Sequence, residues 1–154
     1  MKFKAQKISS AQYNFKSKLE LECAEILDEA NLKWEYEPYR VTLLKSFELE
    51  KDMAWEGTAR KLRHVRKVRP ITYTPDFVGV NWVIETKGYF TEDAKLKWKL
   101  FKRKVLDTKL YPLLFLVRNK TQIRKAVELI LNNSKDYDEG LYLNGSNAAI
   151  LRLK

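Results

Sequence analysis

One stretch constrains this chain more than any other: Tyr73 to Tyr89, YTPDFVGVNWVIETKGY. Two short apolar runs, Phe77-Val78-Gly79-Val80 and Trp82-Val83-Ile84, flank Asn81. β-Branched and aromatic residues dominate both, and Gly79 and Asn81 suit a tight connection, so the stretch predicts two antiparallel strands joined by a turn. Three charged residues interrupt it: Asp76 before the first run, then Glu85 and Lys87 at the end of the second. On a strand, Glu85 and Lys87 point to the same face. Carboxylates are costly to bury without compensation. The group is therefore either an ion-pair cluster or a metal site.

The rest of the chain narrows what such a site can be. With 154 residues, 45% of them hydrophobic, the sequence predicts one domain, residues 1–154, with a real core. A formal net charge of +10 and a pI near 9.6 point to a polyanionic partner, nucleic acid before acidic membrane. No run approaches the length of a membrane span, and MKFKAQKISS has no hydrophobic signal core, so a cytoplasmic protein is expected. The single cysteine, Cys23, excludes a disulfide framework or a cysteine-rich zinc site. With one histidine, His64, any chemistry must rest on carboxylates and lysines.

Residues 1–13 are basic and polar and predict an arm. Leu19, Cys23, Ile26, Leu27 and Ala30 recur with helical spacing, which predicts an amphipathic helix over 17–31. Ser17 and Glu20 fit a capping box at its start. Glu20 is thus either half of the cap or a third carboxylate projecting toward the strand that ends in Glu85. Residues 33–44 predict an extended strand bent at Pro38, with Trp34 and Tyr36 on one face.

Residues 45–70 form an insertion with a dense basic run: Arg60, Lys61, Arg63, Arg66, Lys67 and Arg69. It cannot pack in a core, so it is a solvated loop, a β-ribbon or a short helix. Its charge predicts phosphate contact. His64 within it reads as a surface residue.

Thr91 caps a predicted helix over 91–108 with Leu96, Leu100, Phe101 and Val105 as its buried stripe; Lys95 and Lys99 are candidates to touch DNA. Residues 111–118 predict a strand buried on both faces. Residues 121–133 predict a helix with Ile123, Ala126, Val127, Ile130 and Leu131 on one side. Asp136–Gly140 reads as a turn and Ala148–Leu153 as an edge strand. The order predicts an α/β domain with a central mixed sheet flanked by helices.

On the metal-site reading, the chemistry open to these residues is metal-assisted phosphodiester hydrolysis. Magnesium prefers oxygen ligands. Asp76, Glu85 and the carbonyl of Thr86 can supply them, and Glu20 can complete this site or a second one. Lys87 would position or deprotonate the attacking water, or neutralise charge on the phosphate.

Pro75-Asp76, eight intervening residues and Glu85-Thr86-Lys87 resemble the PD-(D/E)XK nuclease signature. Phe15-Lys16-Ser17-Lys18-Leu19-Glu20, Trp34-Glu35-Tyr36-Glu37, Tyr73-Thr74-Pro75-Asp76-Phe77 and Glu85-Thr86-Lys87-Gly88 resemble, in order, the motifs of the phage endonuclease I family of Holliday-junction-resolving enzymes. The resemblance covers roughly residues 13–118. It implies the restriction-endonuclease-like fold and magnesium-dependent cleavage of branched DNA, with manganese able to substitute. It implies Glu20, Asp76 and Glu85 as metal ligands, Lys87 as the catalytic lysine, and a homodimer swapped through a short link before the Pro75-Asp76 motif. This chain departs from the family at that link, where the long insertion stands. Nucleases of the same chemistry on flaps, ends or duplex DNA, and a non-cleaving nucleic-acid-binding module on the same fold, are the alternatives.

Overall fold

The computed structural model describes residues 8–9, 13–110 and 112–134. Two short strands, β1 (Ile8–Ser9) and β2 (Asn14–Phe15), pair antiparallel at its start. Part of the expected arm is therefore held in a ladder, and most of the rest lies outside the described residues. Helix α1 (Lys18–Glu29) begins where the sequence places it, with Ser17 Oγ accepting the Glu20 N–H at 3.2 Å. The helix stops at Asn31, whose left-handed backbone (φ 54°) suits an asparagine better than most residues.

The expected strand over 33–44 is two strands: β3 (Glu35–Tyr36) and β4 (Val41–Leu44). Glu37 takes a left-handed φ of 45° just before Pro38, and the chain turns out of the sheet there. Of the three forms open to the insertion, it takes the β-ribbon. Strands β5 (Phe47–Glu48), β6 (Trp55–Gly57), β7 (Leu62–His64), β8 (Lys67–Val68) and β9 (Ile71–Tyr73) pair in nested order: β4 with β9, β5 with β8, β6 with β7, all antiparallel. Residues 41–73 are thus one β-ribbon running out from the domain and back.

Strands β10 (Phe77–Val78) and β11 (Trp82–Thr86) form the expected hairpin, with Phe77 opposite Ile84 and Val78 opposite Val83. Helix α2 (Glu92–Asp107) starts at its Thr91 cap, whose Oγ1 accepts the Ala94 N–H at 3.1 Å. Strand β12 (Leu113–Val117) and helix α3 (Lys120–Ser134) come next. The central sheet has the order β12-β11-β10-β3, with β12 parallel to β11 and the other pairs antiparallel. The fold is a mixed α/β arrangement with three helices among the described residues.

Alternation along the strands divides the core in two. Trp82, Ile84 and Val117 face α1 and α3, packing with Phe15, Leu27 and Ile123. Val83, Leu114 and Leu116 face α2 and the root of the ribbon, packing with Tyr73, Trp98 and Phe101. β12 is covered on both faces, as expected, but it is the outer strand of the sheet among the described residues and is only half-buried apart from Val117. Two helix assignments need correction. Trp98, Phe101 and Val105 are the buried face of α2, while Leu96 is 52% exposed. Two residues along a helix is about 200° of rotation, so Leu96 cannot share the face of Trp98. Leu131 in α3 is likewise exposed. The turn at 136–140 and the strand at 148–153 lie outside the described residues.

The hairpin turn carries a packing constraint. A Cβ added at Gly79 would stand 2.1 Å from the Trp82 ring. That ring is buried and cannot move aside. Gly79→Ala is therefore expected to destabilise the protein by about 1–3 kcal/mol. Urea unfolding checks this, and an unchanged midpoint would show that the turn relaxes freely.

Candidate active site

Three separate pieces of chain deliver four polar side chains to one place. Glu20 comes from the first turn of α1 and Asp76 from the loop before β10. Glu85 comes from β11, and Lys87 follows that strand. All four line a single open cavity of about 500 Å³. The carboxylates are deep in it: Glu85 is 2% exposed, and Asp76 and Glu20 are 7% exposed. Thr86 is buried beside them.

Each carboxylate is held by its own hydroxyl. Tyr36 donates to Glu20 Oε2 at 2.5 Å, and the Lys16 N–H donates to the same oxygen at 2.7 Å. Glu20 therefore does not reach back to the Ser17 amide, and the cap is made by Ser17 alone. Asp76 Oδ2 accepts both the N–H and the hydroxyl of Thr86, each at 2.8 Å. Tyr73 donates to Glu85 Oε2, and the Asp76 N–H reaches that oxygen at 3.3 Å. Lys87 Nζ lies 2.5 Å from Glu85 Oε1. The expected same-face neighbours of the strand, Glu85 and Lys87, thus form an ion pair.

Charge in this site is out of balance. Burial, followed by the neighbouring Glu85, pushes the Asp76 carboxyl up to about 7, against the partial relief given by Lys87 and Thr86. Burial pulls the Lys87 ammonium down, but Glu85 and Asp76 outweigh it and its pKa is raised overall. Lys87 is therefore a firmly charged ammonium. Desolvation, then the charges on Asp76 and Glu20, push the Cys23 thiol up, so it stays neutral.

A hard divalent cation fits the donor set, which is oxygen only, and would supply the positive charge that two buried carboxylates lack. The carboxylates are turned onto their internal partners. Among the described residues no three His, Cys, Asp or Glu side chains stand close enough together to hold an ion as placed.

The outer candidates divide. Arg60, Lys61, Arg63, Arg66, Lys67 and Arg69 lie on the distal and returning half of the ribbon, away from the cavity, with Arg66 paired to Glu48 at 3.6 Å. His64 is exposed on the same ribbon, as expected. Lys95 is paired with Glu92, and neither it nor Lys99 lines the cavity. The α2 lysine that does is Lys97, two residues on, with Lys16 and Arg40 also at the cavity. These cations, and the hydroxyls of Tyr36 and Tyr73, are the site residues that sequence reading missed. The signal available was Tyr73 beside the Pro75-Asp76 motif and Tyr36 facing with Trp34.

A family model described as protein of unknown function, DUF1064, matches residues 1–120. No curated protein and no solved structure matches the chain.

Proposed function

The chain belongs to the family of proteins of unknown function DUF1064, and from its site we propose that it is a metal-dependent DNA endonuclease of the PD-(D/E)XK kind, selective for branched DNA. The observation that carries this reading is the convergence of buried Glu20, Asp76 and Glu85 with the Lys87 ammonium on one open cavity. A buried acid with a pKa near 7 is expensive to keep in a fold, and such groups cluster where chemistry needs them.

Magnesium or manganese, held by Glu20, Asp76, Glu85 and the Thr86 carbonyl, would supply Lewis acidity toward the scissile phosphate and acidify a water. The chain's own residues do the rest. Thr86, Tyr36 and Tyr73 hold the three carboxylates at the cavity wall, and metal binding would turn the acids from these hydroxyls toward the ion. Lys87, firmly protonated, neutralises charge that develops on the phosphate instead of taking a proton from water. Lys16, Arg40 and Lys97 line the same opening and suit the flanking phosphates. Such contacts orient a substrate without reading its sequence. Water attacks phosphorus in line with the departing sugar oxygen, leaving a phosphate and a hydroxyl at the cut.

The spacing of the carboxylates, each bonded to its own hydroxyl and no three of them clustered among the described residues, favours one alternative: a nucleic-acid-binding module that does not cut. Incubation with four-way junction, flap, duplex and single-stranded DNA, with magnesium or manganese or with chelator, separates the two. Metal-dependent nicking, fastest on the branched substrates, is the expected result. No cutting of any substrate with either metal would leave the binding module standing.

A further inference from the structure

We propose that the β-ribbon over 41–73 is a groove-reading arm that takes about one turn of duplex DNA, so that the substrate class is double-stranded for some ten base pairs beside the site. This rests on the nuclease reading and names the substrate that it left open.

The arm is built, not loose. Its pairing continues beyond the assigned strands, from Leu49 N to Arg66 O (2.7 Å) and from Val65 N to Ala54 O (3.0 Å). Its tip is a closed turn. Thr58 N–H donates to the Lys61 carbonyl at 2.8 Å, and Thr58 Oγ1 donates to the same carbonyl and accepts the Lys61 N–H. Arg60 and Lys61 are exposed at this turn.

Two asymmetries point to the occupant. Residues 58–70 carry six lysines and arginines and no acidic side chain, whereas 45–57 carry two lysines and four acids, Glu48, Glu50, Asp52 and Glu56. The positive charge is thus concentrated on the tip and the returning strand. The faces differ as well. Directly opposed residues share a face. Trp55 with His64, and Gly57 with Leu62, therefore lie on one side of the distal ribbon, and Glu56 with Arg63 on the other. The Trp55 and His64 rings meet at a tilt with centroids 5.3 Å apart, and Trp55 and Leu62 are 53% and 62% exposed. An arm that stayed in water has no use for that apolar face. Thymine methyls and sugar edges in a major groove do.

The dimensions agree. A two-stranded ribbon is what the roughly 12 Å major groove admits. From Ile71 out to Lys61 is about 30 Å of extended chain at roughly 3.3 Å per residue, close to the rise of about 34 Å in one turn of B-DNA. The root is in the right place: Thr72 and Tyr73 line the cavity, and Tyr73 grips Glu85. A duplex lying along the arm therefore ends at the carboxylates. That junction with the site favours nucleic acid over an anionic membrane as the partner.

The test is fluorescence anisotropy in chelator, so that binding is read without cutting. It compares labelled duplexes of about 6 to 20 base pairs, spanning one turn, with a single strand of the longest length. The proteins are the full chain and its Arg60→Glu/Lys61→Glu variant, each with its circular dichroism. Wild-type affinity is expected to rise at least about tenfold as the duplex grows to about one turn, then level off. The double reversal should remove that gain, leave the shortest duplex within about twofold, and lower the salt slope by about two. Trp55→Ala should show the same length selectivity in its loss. Single strands bound as tightly as duplex, equal weakening on short and long duplexes, or binding only to vesicles of anionic phospholipid would overturn the arm. Cleavage is measured apart, with magnesium. Length-dependent binding without cleavage ends the nuclease reading and keeps the arm. Cleavage without length dependence ends the arm alone.

Discussion

Replacing Asp76 with asparagine is expected to stop cleavage and, in metal-free buffer at neutral pH, to make the protein more stable. The loss should be at least about a hundredfold in rate, the scale for removing a group that organises transition-state charge. The gain follows from linkage. Asp76 is pushed up to about 7 from 3.8, first by burial and then by Glu85. The unfolded chain gives up this proton near pH 4, while the folded chain holds it to about pH 7. Between those values the unfolded state binds fewer protons, so folding stability falls as pH rises through the window and is flat above it. At about 1.4 kcal/mol per unit the full effect is at most about 4 kcal/mol. The amide keeps an oxygen for Thr86 but adds an NH2 group in a buried site, so a gain of about 1–3 kcal/mol is expected. At about 2–4 °C per kcal/mol this is readily seen in thermal melts. The difference from wild type should be full at about pH 8 and gone by about pH 3.5. A variant that melts lower at the alkaline end, or by the same margin at both ends, would show that Asp76 is not held against its charge. Magnesium at millimolar concentration should raise the wild-type melting temperature and leave that of Asp76→Asn nearly still.

Lys87→Ala is expected to bind DNA with near-normal affinity in chelator and to cut it about a hundred- to a thousandfold more slowly. Its ammonium sits 2.5 Å from Glu85, inside the cavity. Charge on the phosphate grows mainly in the transition state, so the loss belongs in the rate and not in affinity. Removing the amine also leaves Glu85 buried without its ion-pair partner, and a modest drop in stability should accompany it. A folded variant that has lost junction binding would reassign Lys87 to holding substrate. One that cuts at the normal rate would remove it from the chemistry.

Much of this could be read from residues alone, for identifiable reasons. A carboxylate in an apolar strand is conspicuous, so Asp76 and Glu85 stand out before any fold is known. Alternation then puts Lys87 beside Glu85, and it is there. Ser17 marks the start of α1 and Thr91 that of α2, because caps are local chemistry. What stays hidden is long-range. Tyr36 lies sixteen residues from Glu20, and Tyr73 twelve from Glu85. No periodicity links such partners until the sheet brings them together. The break at Glu37 is masked because Pro38 alone does not say whether a strand bends or leaves its sheet. The α2 face goes wrong at Leu96 because an exposed leucine counts in a pattern as heavily as a buried one, and it is Trp98 that packs against Tyr73. The ribbon is one of three options because short strands with charged residues have no strong signature of their own.

The nested ladders also limit how this protein can vary. Deleting one opposed pair between root and tip would rotate everything beyond it by half a turn, swapping the sides on which Arg63 and Trp55 look out. Deleting two would restore the original phase. Relatives with a longer or shorter excursion at this point should therefore differ in steps of two pairs, each step close to about 7 Å of reach.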